Sequence, residues 1–123
     1  MNAYTVSKLA RDAGTTVHIV RDYARRGLFR HSRRTNGGYY IYDEEALERL
    51  QFVLAAKVAG VSLSDLTEMI EALDCSDSNR LCGCVERIKQ ELKARRNALT
   101  GYEARLSGLL RSVRNTGPMR KFG

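Results

Sequence analysis

The sequence predicts a mainly α-helical chain: a helix-turn-helix unit with a hairpin wing, two further helices, and one long helix that pairs with a second copy. Three observations carry this. The single proline of the 123 residues is Pro118, so nearly everything before it is free to be helical. Apolar residues recur at helical spacing through the first half of the chain, broken once by a Gly-containing turn and an aromatic run. From Leu81 to Val113 they then alternate in steps of four and three, broken only by Arg95.

Val6, Leu9, Ala10 and Ala13 stand at i, i+3, i+4 and i+7, the spacing of a short amphipathic helix. Thr5 is placed to cap its start, and Gly14 to end it through a left-handed turn. Thr15 or Thr16 opens a second helix, in which Val17 and Val20 face inward and which Gly27 stops. Two short helices joined by so short a turn form a helix-turn-helix. A generic helical hairpin would look the same, but the next residues argue against it. A basic run over residues 30–34 leads into Thr35-Asn36-Gly37-Gly38, a strong turn signal, and then into Tyr39-Tyr40-Ile41-Tyr42, an aromatic and β-branched strand pattern. A hairpin behind a helix-turn-helix is a wing, which lays a basic loop along a sugar-phosphate backbone. Asp43 caps the next helix, with Leu47, Leu50, Leu54 and Val58 as its inward stripe and Gly60 at its end. Ser62 caps another, with Leu63, Leu66, Met69, Ile70 and Leu73 on its apolar side.

Beyond a polar loop at residues 74–79, the heptad seam runs Leu81, Val85, Ile88, Leu92, Arg95, Leu99, Tyr102, Leu106, Leu109, Val113. Residues 78–113 as one helix would span ~54 Å at ~1.5 Å per residue, more than the small domain before it can cover. An intramolecular hairpin would need a break, and Gly101 and Gly108 stand only singly. The seam residues other than Arg95 are therefore expected to form a homodimer interface, with Arg95 setting register or reaching out to solvent. The expected organisation is a winged helix-turn-helix domain over residues 1–74, and a linker, dimerisation helix and short tail over 75–123.

At 43% hydrophobic and 28% charged residues, the chain is neither disordered nor collagenous. No stretch approaches the ~18–20 apolar residues of a membrane span. Residues 1–20 carry Lys8, Arg11 and Asp12 and lack an apolar export core, so a cytoplasmic location with reduced thiols is expected. The net charge of +7 is segregated. Residues 1–38 hold eight Lys/Arg against Asp12 and Asp22, a local +6; residues 39–74 hold two against eight acids, a local −6; residues 75–123 hold eleven against four, a local +7. The acidic block is expected on outer helix faces, away from DNA, and the last block on the pairing helix. The first +6 is therefore the charge expected to meet phosphates.

Double-stranded DNA is thus the expected partner. The second helix should enter the major groove, with Thr16, His18, Arg21 and Asp22 exposed. Arg21 is placed either to read guanine or to hold a phosphate, unless it pairs with Asp22 or with the acidic block. Tyr23 is open between core packing and a phosphate contact. Arg30, Arg33, Arg34 and Tyr39 are wing candidates for backbone contacts, which add affinity without specificity. The two histidines, His18 and His31, are isolated; with no Ser/His/Asp set, His-rich metal motif or phosphate-binding Gly loop, an enzyme is not expected.

In this order the elements resemble the MerR family of bacterial transcription regulators, over about Tyr4 to Val113. The residues that carry the resemblance are Leu9-Ala10, Ala13-Gly14, Arg21-Asp22-Tyr23, Arg26-Gly27-Leu28, Gly38-Tyr39 and Tyr42. Typical members have Arg-Tyr-Tyr-Glu in place of Arg21-Asp22-Tyr23-Ala24, and Gly-Tyr-Arg in place of Gly38-Tyr39-Tyr40. Together with Asn2 to Ser7, Asp12-Ala13-Gly14 and Val17 to Tyr23, these departures resemble the branch of secondary regulators of mercury-resistance operons. The resemblance implies an antiparallel coiled-coil dimer on a palindromic operator between promoter elements. It further implies binding of the mercury-operon operator together with MerR, and a return of the operon to repression. Membranes play no part. Tyr40 stands where the family presents an arginine, which implies one missing charge-assisted contact and a weaker binder, or one that needs a partner on DNA.

Cys75, Cys82 and Cys84 cluster around the start of the long helix, and thiolates suit Hg(II) and other soft ions. If both are helical, Cys82 and Cys84 point roughly 200° apart, so chelation needs a later helix start or Cys75 folding back from its loop. The resemblance implies, for metal-sensing members, one cysteine near this helix start and two in the loop after the helix. The stretch Arg114 to Met119 has none, so that three-thiolate site cannot be assembled here. No cofactor is required. Two alternatives to the co-regulator stay open at this point: a metal-responsive sensor and activator using the three cysteines, and a thiol metal-binding dimer without a regulatory role.

Overall fold

The computed structural model describes residues 3–116. Its elements are α1 (Val6–Ala13), α2 (Val17–Arg25), β1 (Arg33–Arg34), β2 (Tyr40–Ile41), α3 (Glu44–Ala59), α4 (Leu63–Asp74) and α5 (Ser78–Thr116). Pro118 and the tail from Gly117 onward lie outside the described residues.

The expected caps set the helix starts. Thr5 Oγ1 accepts from the Lys8 N–H, Thr16 Oγ1 from Ile19, Asp43 Oδ1 from Ala46 and Ser62 Oγ from Asp65, at 3.0–3.2 Å. Each satisfies an otherwise orphaned N–H and contributes about 1 kcal/mol. Gly14 (φ 73°) ends α1 and Gly60 (φ 91°) ends α3, both in the left-handed conformation that strains a residue with a Cβ.

The core lies where α1, α2, α3, α4 and the first turns of α5 converge, around Leu9, Val20, Leu28, Phe29, Leu50, Val53 and Leu66. Two expected stripes need correction. In α3 the buried residues are Ala46, Leu50 and Val53, with Leu47 and Leu54 half-buried at the flanks, while Val58 is 91% exposed. The inward register next reaches Lys57, which is exposed, so the last turn of α3 stands clear of the core. In α4, Leu66, Met69, Ile70 and Ala72 are buried, while Leu73, on the same inward line, is exposed in the last turn at the mouth of an apolar cleft with Phe52, Leu81 and Val85.

The wing is an antiparallel pair in register Arg33↔Ile41 and Arg34↔Tyr40. Its turn closes through the Thr35 N–H to the Tyr39 carbonyl (2.8 Å) and the Gly38 N–H to the Thr35 carbonyl (2.9 Å), with Gly38 at φ 86°. The expected strand over Tyr39–Tyr42 is shorter than its pattern. Tyr42 leaves the hairpin and instead exchanges two 2.8 Å backbone hydrogen bonds with Tyr4, tying the wing base to the segment before α1.

The chain divides into two compact units, Met1–Ile88 and Lys89–Gly123. Polar contacts tie the start of α5 to α4 within the first unit. Arg87 pairs with Asp65 (2.9 Å) and Glu68 (3.6 Å), Arg80 with Glu71 (3.1 Å), and the Cys84 thiol donates to Glu68 (3.0 Å). The acids of α4 are therefore not a merely solvated face. Part of the −6 block is matched by arginines of the second basic block.

Candidate nucleic-acid interface

In the first unit, α2 and the wing present one continuous basic surface. His18 and Arg21 are exposed on α2, and Arg30, His31, Arg33, Arg34 and Tyr39 are exposed along the wing. Between helix and wing runs a groove of about 740 Å³ lined by Arg21, Arg25, Arg30, His31, Tyr40 and Tyr42, with Val6, Ala24, Gly27 and Phe29 completing it. From Tyr23 to Tyr42 the chain has no Asp or Glu, so nothing local opposes an anion there. A groove walled by cations and aromatic faces is shaped for a phosphate chain. Arg25 was not an expected contact, although its place one turn beyond Arg21 on the same helix face would have indicated it.

The expected contacts divide as follows. Asp22 does not hold Arg21; it pairs with Arg26 (3.1 Å) and Arg25 (3.6 Å). Arg21 has no ion pair among the described residues, and lies close enough to Tyr42 to act on its ionisation. Burial raises the Tyr42 phenol above its usual pKa and the neighbouring Tyr40 adds to this, while Arg21 opposes it. Tyr23 is only 6% exposed, so its ring packs in the core. Thr16 Oγ1 accepts from the Ile19 N–H as the α2 cap, which positions the helix N-terminus and leaves the hydroxyl proton available to donate.

The wing rings are organised among themselves. His31 stacks on Tyr40 (centroids 4.2 Å apart, 34° between planes) and meets Tyr42 edge-on at 6.5 Å. The Arg34 guanidinium lies 5.0 Å over the Tyr40 ring. At the wing base, the Tyr4 hydroxyl donates to Glu44 (2.8 Å) at the first turn of α3.

The cysteines do not converge. Cys75 and Cys82 are exposed, while Cys84 is 2% exposed. The Cys84 thiol is held above its usual pKa, chiefly by donating to Glu68, with burial next; the same bond lowers Glu68. A thiol held protonated is a poor soft-metal ligand. Among the described residues no group of three His, Cys, Asp or Glu side chains is placed to hold a metal ion.

The expected pairing residues fall into two groups. Leu81 and Val85 are half-buried and Ile88 is 8% exposed within the first unit, so Ile88 is already a core residue of the single chain. In the second unit Leu99, Tyr102, Leu106 and Val113 are exposed, with Leu92 and Leu109 half-buried.

A helix-turn-helix with a basic wing, set before a long helix, defines a nucleic-acid-reading regulator. The chain belongs to the MerR family: the MerR HTH family regulatory protein pattern matches residues 4–73. It is 47% identical over 109 residues to the HTH-type transcriptional regulator MerD of Pseudomonas aeruginosa, and 46% identical over 109 residues to that of Acinetobacter calcoaceticus. Each match covers 89% of this chain and 90% of the relative. The fold also matches HiNmlR, a MerR family regulator lacking the sensor domain and bound to promoter DNA, with a TM-score of 0.78 at 21% identity over 94% of this chain and 96% of that one. The chain is a MerR-family DNA-binding transcription regulator similar to MerD. These relatives and this fold are those of transcription regulators rather than enzymes. Among the described residues no helix is long and apolar enough to cross a membrane.

Proposed function

We propose that this protein is a co-regulator of a mercury-resistance operon, which binds the operator as a homodimer together with MerR and lowers expression. The observation that carries the reading is the basic groove between α2 and the wing, in a chain nearly half identical to MerD over almost its whole length. In this reading α2 enters the major groove, where His18 and Arg21 reach base edges, while Arg25, Arg30, Arg33, Arg34 and Tyr39 hold the backbone on either side. The exposed apolar face of Leu99, Tyr102, Leu106 and Val113 is covered by the same helix of a second copy running antiparallel. The pairing sets the distance between two α2 helices and hence the half-site spacing. The reading places the protein in the cytoplasm and invokes no bound cofactor and no membrane.

A footprint on the mercury operator, run with and without MerR and Hg(II), tests this. The reading predicts protection of the same operator, strengthened by MerR, and lower transcript from a reconstituted promoter. A triple Cys75→Ser, Cys82→Ser, Cys84→Ser protein that still folds should regulate normally. Loss of the Hg(II) response in that variant alone would favour a sensor instead.

A further inference from the structure

We propose that Tyr40 is a positioning residue of the wing: its ring fixes the Arg34 guanidinium and the His31 imidazole before DNA arrives. Tyr40 is the cross-strand partner of Arg34, which puts the two side chains on one face of the hairpin. The guanidinium lies 5.0 Å over the ring, within the range of a cation–π contact, and 3.8 Å from where a Cβ on Gly38 would stand. It is thus laid along the back of the turn. His31 reaches the same ring from the other end of the wing, 4.2 Å between centroids. With no acid between Asp22 and Asp43, no carboxylate of the wing competes for Arg34. Among the described residues the Tyr40 hydroxyl makes no hydrogen bond, so the ring face is the working part. A long cation held in one place loses less freedom when it meets a phosphate than a free one does.

This inference rests on the DNA-binding reading above, and two measurements keep their failures apart. The first needs no DNA. In the free protein the side-chain protons of Arg34 should show an upfield ring-current shift by NMR, kept in Tyr40→Phe and lost in Tyr40→Leu. Absence of the shift in the wild type would overturn the proposal. The second is operator affinity against salt. Tyr40→Leu should weaken binding about three- to five-fold and lower the log–log salt slope by up to about 0.9, one phosphate contact. Tyr40→Phe should bind within about twofold of wild type. The double variant Tyr40→Leu, Arg34→Ala should bind no worse than Arg34→Ala together with the loss of the His31 contact, measured in His31→Ala. A Tyr40→Phe loss equal to that of Tyr40→Leu would make the hydroxyl a direct contact, and full additivity would make the ring independent of its neighbours. Either result overturns the proposal. Wild-type binding indifferent to sequence would instead overturn the regulator reading, while the ring-current shift still reports on Tyr40.

Discussion

Asp22 is the one acid of α2, and it holds Arg25, which lines the groove, and Arg26, which faces α4 beside Leu63, Thr67 and Glu71. Its carboxylate lies 3.1 Å from Arg26 and 3.6 Å from Arg25, with about a quarter of the side chain exposed. Replacing it with Asn keeps the shape and frees both guanidiniums. Each exposed pair contributes about 0.2–1 kcal/mol before solvent screening, and the arginines are 74% and 48% exposed, so the fold should survive. On DNA the change is larger. Each additional phosphate neutralised steepens the dependence of log K on log salt by about 0.9, so the released groove arginine, Arg25, adds up to about 0.9. Between 50 and 200 mM salt, that steepening amounts to an extra loss of about 3.5-fold in affinity. Fluorescence anisotropy on a labelled operator and on a scrambled duplex of equal length measures it. Asp22→Asn should bind both duplexes more tightly at low salt, gain most on the scrambled one, and show the steeper slope. An unchanged slope with weaker binding of the operator alone would refute the reasoning and place Asp22 in direct contact with a base.

The remaining predictions concern packing, ionisation and pairing. Leu50→Ala should destabilise the protein by about 2–5 kcal/mol in thermal or urea unfolding, whereas Val58→Ala should stay within about 0.5 kcal/mol; equal effects would restore the discarded α3 stripe. The raised Cys84 pKa means the folded state retains its proton longer than the unfolded chain does. Its contribution is complete below the ordinary thiol pKa, about 8.5, and is lost as pH rises through the folded value, so stability should fall in alkali more steeply in wild type than in Cys84→Ser. Glu68, lowered chiefly by the same hydrogen bond, contributes above the ordinary carboxylate pKa and loses that contribution as pH falls through its folded value, so Glu68→Gln should flatten the acid limb of the same curve. In the native protein a thiol reagent should label Cys75 and Cys82 quickly and Cys84 only on unfolding; three fast thiols would contradict the α4–α5 contact. Leu106→Glu should shift sedimentation from dimer to monomer at micromolar concentration, and an unchanged dimer would move the interface elsewhere.

Much of this was legible in the sequence because local chemistry decides it. Thr5, Thr16, Asp43 and Ser62 announce helix starts, Gly14 and Gly60 announce ends, and each signal acts within a few residues of itself. The wing was legible for the same reason, since Thr35-Asn36-Gly37-Gly38 leaves the backbone few alternatives. The failures are long-range. Tyr42 pairs with Tyr4, a partner on the far side of the whole helix-turn-helix in sequence, and no local pattern encodes it. The α3 stripe was displaced because Leu47, Leu54 and Val58 are more hydrophobic than Ala46, and periodicity weighs hydrophobicity without knowing which turn leaves the core. The start of α5 was assigned wholly to pairing because Leu81, Val85 and Ile88 continue the heptad. The side chains that hold this stretch to α4 are Arg80, Cys84 and Arg87, which lie off that seam. Within the site, Arg21 and the wing arginines were visible as charge. The ring under Arg34 required coordinates, whereas the pairs of Asp22 with Arg25 and Arg26 stand at i,i+3 and i,i+4 on one helix, a spacing the sequence already held.

Binding to a mercury-operon operator duplex, measured beside a scrambled duplex at about 150 mM salt with and without MerR, tests the central claim most directly. The account predicts preference for the operator by ten-fold or more in the presence of MerR, lost on Arg21→Ala and reduced equally on both duplexes by Arg33→Ala. Equal affinity for the two duplexes under both conditions would contradict it.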